Sequence, residues 1–406
     1  MRILILSQWC YPEPDLKALT FARVLAGRGH TVQVLTGFPN YPGGKVYKGY
    51  SIKLFSREII DNLEVLRCAL YPSHDRSGLK RIFNYLSFAF FASLIGIFRT
   101  RKADILYVYH PPATVAIPAI LIKLFRKVPV VYDIQDIWPD TLKVTGMVNN
   151  KYVLKAVDIF MKMCYRSVDH VVVLSNGFRE LLIARGVRSS KVNVIYNWSN
   201  PIGLAGEVDR EIISLFKNRF TILFAGTIGL AQGLDVVVKC AEQLREIKEN
   251  DMQFILLGGG VDVNRLKSQV MEKGLQNIHF IDRVPASIIG SYLSCADVLL
   301  IHLLEDRLFE ITVPCKTQAY LLAGKPILAG VKGDAAALIE NAQAGLVFIP
   351  EDHNDLLEKA LILKSMGPVT LRQFGNNGRR FYDNQLSIEK GVEKFEKIFE
   401  VVQHKR

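Results

Sequence analysis

Three carboxylates in one short stretch are the first candidates for chemistry. Asp133-Ile-Gln-Asp136-Ile-Trp-Pro-Asp140 directly follows the β-branched run Val128–Tyr132. A carboxylate at the carboxyl end of a parallel strand faces the place where such sheets bind ligands, and it can accept a proton from a hydroxyl. Asp136 is the first choice. The plain structural alternative pairs Asp133 with a lysine and makes Asp140 a helix cap. A second candidate is Lys316, in Phe309-Glu-Ile-Thr-Val-Pro-Cys-Lys316. Pro314 opens a helix there, and a lysine in its first turn adds a full positive charge to the positive end of the helix dipole, suited to neutralising a departing diphosphate. Otherwise it is an exposed helix lysine. Glu310 just before it can hold hydroxyls.

Glycine-rich turns surround these groups. Phe224-Ala-Gly226-Thr-Ile-Gly229 and Leu257-Gly258-Gly259-Gly260 each follow an apolar run and precede a helical one, where backbone N–H groups can approach a phosphate. Thr36-Gly-Phe-Pro-Asn-Tyr-Pro-Gly43-Gly44-Lys45 must be a loop, and its last three residues offer N–H donors and a cation to an anion. G-x-G-x-x-G is absent after the first strand, which disfavours a nicotinamide dehydrogenase.

The elements that position these residues repeat a strand, loop and helix grammar. Short apolar runs at Ile3–Leu6, Thr31–Thr36, Ile105–Tyr109, Val128–Tyr132, Val171–Leu174 and Val192–Ile195 are separated by longer helical stretches. A second series begins at Thr221–Phe224 and continues through Phe254–Leu257, Ile278–Ile281, Val298–His302, Pro326–Ala329 and Leu346–Ile349. This predicts an α/β protein of two doubly wound parallel-sheet domains, residues 1–199 and 205–382, joined at Asn197–Gly203 and facing a cleft. A length of 406 residues fits two cores. Ile388, Val392, Phe395, Phe399 and Val402 form one apolar stripe on a final helix, 387–403, which must dock on one of the domains.

Charge is unevenly placed. Residues 1–200 carry 27 Lys and Arg against 13 Asp and Glu, leaving 24 against 26 for the rest, within a net charge of +12. Anionic lipid suits the basic half; nucleic acid is disfavoured because the basic residues are not interleaved with aromatics in one run. Six cysteines stand singly with no Cys-x-x-Cys pair, arguing for a reducing compartment and against a metal site. MRILILSQ is too short an apolar run for a secretory leader and reads as a buried strand. Ile82–Phe98 carries no charge over 17 residues and lies between Lys80-Arg81 and Arg99, Arg101 and Lys102. Such a helix is either buried or in contact with lipid, where Phe83, Phe88, Phe90, Phe91 and Arg99 would meet the membrane.

At these residues the chain resembles the GT-B glycosyltransferases of family 4, and within them the WbuB-like branch, similar to N-acetyl-L-fucosaminyl transferases of O-antigen and capsule synthesis. The resemblance rests on Arg28-Gly-His30, Thr36–Tyr47, Asp136-Ile-Trp-Pro-Asp140, Phe309–Lys316, Ala323-Gly-Lys-Pro326 and Gly333-Asp-Ala-Ala336. It implies a UDP-sugar donor in the C-terminal domain and a polyprenyl-diphosphate-linked acceptor against the basic N-terminal one. It also implies retention of anomeric configuration, no metal or other cofactor, and a cytoplasmic enzyme bound peripherally to the inner face of the plasma membrane. The donor residues it implies are Gly226, Gly229, Gly258, Gly259, Arg283, Glu310, Gln318, Gly333 and Asp334, with Asp136 and Lys316 catalytic and Gly43, Gly44 and Lys45 binding the acceptor phosphate. The chain departs from the pattern at Gln135, where many relatives have histidine. Around Thr227 and Gln232 the usual Arg and Lys are missing, and a second glutamate counted from Glu310 falls on Gln318 or Ala319. A same-fold alternative is a UDP-sugar epimerase, and a different-class alternative is a non-catalytic sugar-nucleotide or lipid-binding module.

Overall fold

The computed structural model describes residues 1–14, 17–73, 78–144, 147–199 and 214–404. They fall into two compact units, Met1–Tyr196 with Gly391–Arg406, and Asn197–Lys390. Of the expected junction Asn197–Gly203, residues 200–203 lie outside the described residues.

The first unit is built on an eight-stranded sheet. Its strands are β1 (Arg2–Leu6), β2 (Thr31–Gly37), β3 (Phe55–Ile60), β4 (Leu63–Cys68), β5 (Ile105–Tyr109), β6 (Val130–Ile134), β7 (His170–Val173) and β8 (Val192–Val194), in the order β3-β4-β2-β1-β5-β6-β7-β8. β1 pairs in parallel on both sides, Ile3 opposite Val32 and Ile105. Near-continuous apolar runs form these central strands because helices cover both faces. Successive crossovers change direction between β1 and β5, and this is the switch point at which such sheets receive ligands.

The sequence reading passes over β3 and β4, which add an antiparallel edge to an otherwise parallel sheet. Their charged residues obscure the apolar run. The signal was the pair Asp61-Asn62, both at positive φ (51° and 63°), which closes a two-residue hairpin turn.

Helix α1 (Lys17–Gly27) lies between β1 and β2, α2 (Gly78–Phe98) between β4 and β5, and α3 (Ala116–Arg126) between β5 and β6. By length and composition α2 could cross a membrane. It instead joins two strands of one sheet, so it cannot span a bilayer. Asn84, Phe88, Ala89, Ala92, Ser93, Ile95 and Gly96 form its buried face. Leu79, Phe83, Leu86, Phe90, Leu94 and Phe98 form a second, exposed apolar stripe at helical spacing. Phe88 is therefore a correction to the expected membrane set: it is 0% exposed and serves the core, whereas Phe83 and Phe90 are 64% and 60% exposed. Phe91 is half-buried, and Arg99 is exposed over the Phe55 ring.

The second unit has a six-stranded parallel sheet. Its strands β9 (Phe220–Thr227), β10 (Met252–Gly259), β11 (Ile278–Ile281), β12 (Val298–His302), β13 (Ile327–Gly330) and β14 (Gly345–Phe348) run in the order β11-β10-β9-β12-β13-β14. Its switch point lies between β9 and β12. The last helix (Ile388–His404) carries its stripe into the first unit. There Phe395 and Phe399 pack on Phe21 of α1 and Tyr107 of β5, and Glu396 takes Arg28 and His30.

Candidate active site

In the first unit the three aspartates separate into distinct roles. Asp133 ends up fully buried, accepting from Lys17 Nζ (2.8 Å), Tyr107 Oη (2.5 Å) and Gln135 Nε2 (2.8 Å). Its charge is matched, and it holds β5, β6 and α1 together. Asp140 is paired with Arg185 at 2.6 Å. Asp136, half-buried, has no ion-pair partner among the described residues, and burial alone pushes its carboxyl above the ordinary aspartate range. Of the three, only Asp136 keeps its proton-accepting oxygens uncommitted.

The loop after β2 is more rigid than its composition predicts. Glu13, nearly fully buried, accepts from the backbone N–H groups of Cys10, Asn40 and Tyr41. Trp9 stacks on Tyr41 at 4.6 Å, and Tyr47 Oη donates to the Tyr41 carbonyl. Gly44 N–H donates to the Asn40 carbonyl at 2.7 Å, so it is not available to a phosphate as expected. Gly43 and Lys45 are exposed. The sequence reading missed Glu13, although its position between Pro12 and Pro14, just after a strand, marks a carboxylate held in one conformation.

His110 was also missed. It follows β5 at the switch point, donates its backbone N–H to the Asp133 carbonyl, and packs edge-on against Tyr132 and Trp138. Both ring nitrogens are buried without a partner among the described residues, and desolvation lowers its pKa to about 3. The ring is neutral at any physiological pH.

In the second unit, helix α4 (Cys315–Ala323) begins after Pro314 and places Lys316 beside the carboxyl end of β9. Lys316 Nζ lies 4.0 Å from the centroid of the Phe224 ring. No carboxylate among the described residues pairs with it, and desolvation lowers its pKa to about 8. A Cβ at Gly226 would come within 2.4 Å of the Lys316 side chain, so this glycine makes room for the ammonium.

The remaining glycines serve the backbone more than a ligand. Gly258 pairs with Gly226 across β9 and β10, and a Cβ there would sit 1.9 Å from the Gly226 carbonyl oxygen. Gly229 N–H donates to Gln232 Oε1 within its own turn, which corrects its expected role as a phosphate donor. Gly259 lies beside the exposed Arg283, which has no ion-pair partner among the described residues. The structure thus places Gly226, Gly258, Gly259, Lys316 and Arg283 at the adjacent ends of β9 and β10. Gly333, at φ 64°, packs against the Glu310 carbonyl and brings Asp334 with it; a Cβ at Gly333 would lie 2.0 Å from that oxygen. Gln318 is a second correction. It is 2% exposed, with its amide oriented to donate to the Pro314 and Cys315 carbonyls, so it closes its own helix start. Among the described residues no cluster of three or more His, Cys, Asp or Glu side chains could hold a metal ion.

Two family models match in tandem. Residues 17–198 match "Glycosyl transferase 4-like domain" and residues 206–381 match "Glycosyl transferases group 1". The chain is a glycosyltransferase of the GT-B fold. The "Putative colanic acid biosynthesis glycosyl transferase WcaI" of Escherichia coli is 29% identical over 267 residues, covering 63% of this chain and 64% of that protein. The match therefore spans less than two thirds of that relative. Sucrose-phosphate synthase from Thermosynechococcus elongatus shares the fold over 100% of both chains, at TM-score 0.74 and 15% identity. Anabaena HepE, solved with UDP-glucose, covers 99% of this chain and 100% of its own at TM-score 0.65 and 16% identity.

Proposed function

We propose that the protein transfers a sugar from a UDP-sugar to a polyprenyl-diphosphate-linked saccharide in the assembly of a surface polysaccharide, without a metal ion. The observation that carries this reading is Lys316: an ammonium with no carboxylate partner among the described residues, desolvated against Phe224 at a helix start and flanked by glycine, is a charge waiting for an anion. Lys316 and Arg283 stabilise the departing diphosphate as the anomeric C–O bond to it breaks. The acceptor hydroxyl forms the new bond, and its proton goes to Asp136 or to the departing phosphate. Retention of configuration suits the second route. HepE supports UDP as the carrier, and WcaI supports a surface polysaccharide as the product class. The resemblance to fucosaminyl transferases makes an N-acetylated deoxyhexosamine the first sugar to try.

The exposed apolar stripe of α2 supports a membrane-bound acceptor. Its ends carry Lys80 and Arg81 on one side and Arg99, Arg101 and Lys102 on the other, so a helix lying flat would sink phenylalanines while its cations meet anionic headgroups on the cytoplasmic face. The deciding experiment offers a panel of UDP- and GDP-sugars with a lipid-diphosphate saccharide and weighs the products. An acceptor heavier by one sugar residue is the expected outcome. An isomerised donor with unchanged acceptor would make the protein an epimerase, and no product with any donor would leave a binding module.

A further inference from the structure

The buried face of α2 carries one amide among its apolar residues, and that amide is wired to the acceptor loop. Asn84 is 1% exposed. Its Oδ1 accepts from Gln8 Nε2 at 2.6 Å, and its Nδ2 donates to Asn40 Oδ1 at 3.1 Å and to the Tyr71 carbonyl at 2.7 Å. One helical turn on, Ser87 Oγ accepts from Tyr71 N–H at 2.8 Å. Gln8 is the second residue after β1, at the switch point. Asn40 stands in the loop after β2, and its own N–H is held by Glu13 together with that of Tyr41. One amide on α2 therefore fixes three chain segments at the ligand end of the sheet. Around the same helix, away from the sheet, Phe83, Leu86 and Phe90 are exposed.

We propose that Asn84 is a positioning residue through which contact of the outer stripe of α2 with an anionic lipid surface sets the conformation of the acceptor loop Phe38–Tyr47. This rests on the membrane part of the function proposed above. The two faces of α2 are then one device. Lipid takes the apolar stripe, the helix settles against the sheet, and Asn84 carries that movement to Asn40, to Gln8 and so to the Trp9–Tyr41 stack. The Asn84 amide is bonded through both its oxygen and its nitrogen, and a buried polar network of this kind holds the segments it joins in one arrangement. An apolar residue at position 84 would leave Gln8 Nε2, Asn40 Oδ1 and the Tyr71 carbonyl without this partner, at some cost in stability, and transmit nothing to Asn40.

Trp9 supplies a readout that needs no substrate, since it stacks on Tyr41 in the loop itself. In the full chain carrying Trp138→Phe and Trp198→Phe, Trp9 is the sole tryptophan. Addition of phosphatidylcholine vesicles containing phosphatidylglycerol should shift its emission, and pure phosphatidylcholine should not. Asn84→Leu, checked for folding by circular dichroism, should sediment with the anionic vesicles as the parent does while the Trp9 shift is lost. Asn40→Ala, at the other end of the same hydrogen bond, should behave likewise and guards against misfolding caused by the bulk of the introduced leucine alone. A Trp9 shift of parental size in either folded variant overturns the proposal, as does a parent that binds vesicles with no change at Trp9. A parent that does not bind anionic vesicles overturns the membrane reading as well, and the product assay above tests sugar transfer independently of both.

Discussion

Replacing Lys316 by methionine should make the protein more stable and nearly inactive. Burial lowers the ammonium from 10.5 to about 8, and that displacement corresponds to roughly 3 kcal/mol disfavouring the charged form in the folded chain. Contact with the Phe224 face returns part of it, so the relief on removing the charge is at most that figure, equivalent to a Tm rise of about 2–4 °C for each kcal/mol in a unit of this size. The sign follows from proton uptake. Between pH 8 and 10.5 the unfolded chain holds the Lys316 proton more tightly than the folded one, so the parent gains stability as pH rises through that window. The gap between Lys316→Met and parent should therefore be widest below pH 8 and close by about pH 10.5. Transfer should fall by about two or more orders of magnitude, the cost of deleting one preorganised charge donor. Thermal unfolding across pH, run beside transfer assays, reads both quantities. A variant that is less stable at pH 7 yet turns over normally would return Lys316 to the role of a surface lysine.

Asp136→Asn keeps shape but removes the proton acceptor, so kcat should drop far more than donor affinity, and the acid limb of the parent's pH–rate profile should lie above the ordinary aspartate range. An unchanged kcat would assign the proton to the donor phosphate. Phe83→Asp combined with Phe90→Asp touches only exposed positions, so stability should stay within about 0.5 kcal/mol, while sedimentation with anionic vesicles should be lost; retained binding at moderate salt would exclude α2 as the docking element. Gly258→Ala places a methyl against the Gly226 carbonyl at positive φ and should destabilise the second unit by about 2–4 kcal/mol, seen as a lower denaturant midpoint. An unshifted midpoint would show that the two strand ends can part without cost.

Much of the scaffold was readable because it obeys short-range rules. Ile105–Tyr109, Ile278–Ile281 and Val298–His302 are strands at the residues where their apolar runs begin and end. The β3–β4 hairpin was hidden because β3 is a half-solvated edge strand while β4, though buried, carries Glu64 and Arg67 inside its apolar run, and the turn residues are what betray the pair. The site was less legible for a different reason. Asp133, Asp136 and Asp140 are chemically equal in sequence, and what separates them is which has Lys17 or Arg185 within reach, a matter of residues far away along the chain. Glycines mislead in the same way: Gly226 makes room for Lys316 while Gly229 spends its N–H on Gln232, and nothing local distinguishes them. His110 and Asn84 carried no pattern at all, because a lone polar residue beside apolar neighbours acquires meaning only from what packs around it.

The return of the last helix to the first unit has a bearing on biosynthesis. Domains usually complete themselves in the order in which they leave the ribosome. Here Phe21 and Tyr107 wait for Phe395 and Phe399, and Arg28 and His30 wait for Glu396. The early-made half therefore carries an uncovered aromatic seam while the whole of the other half is being translated. A lesion that stops translation shortly before Gly391 would cripple the half of the protein that was finished first.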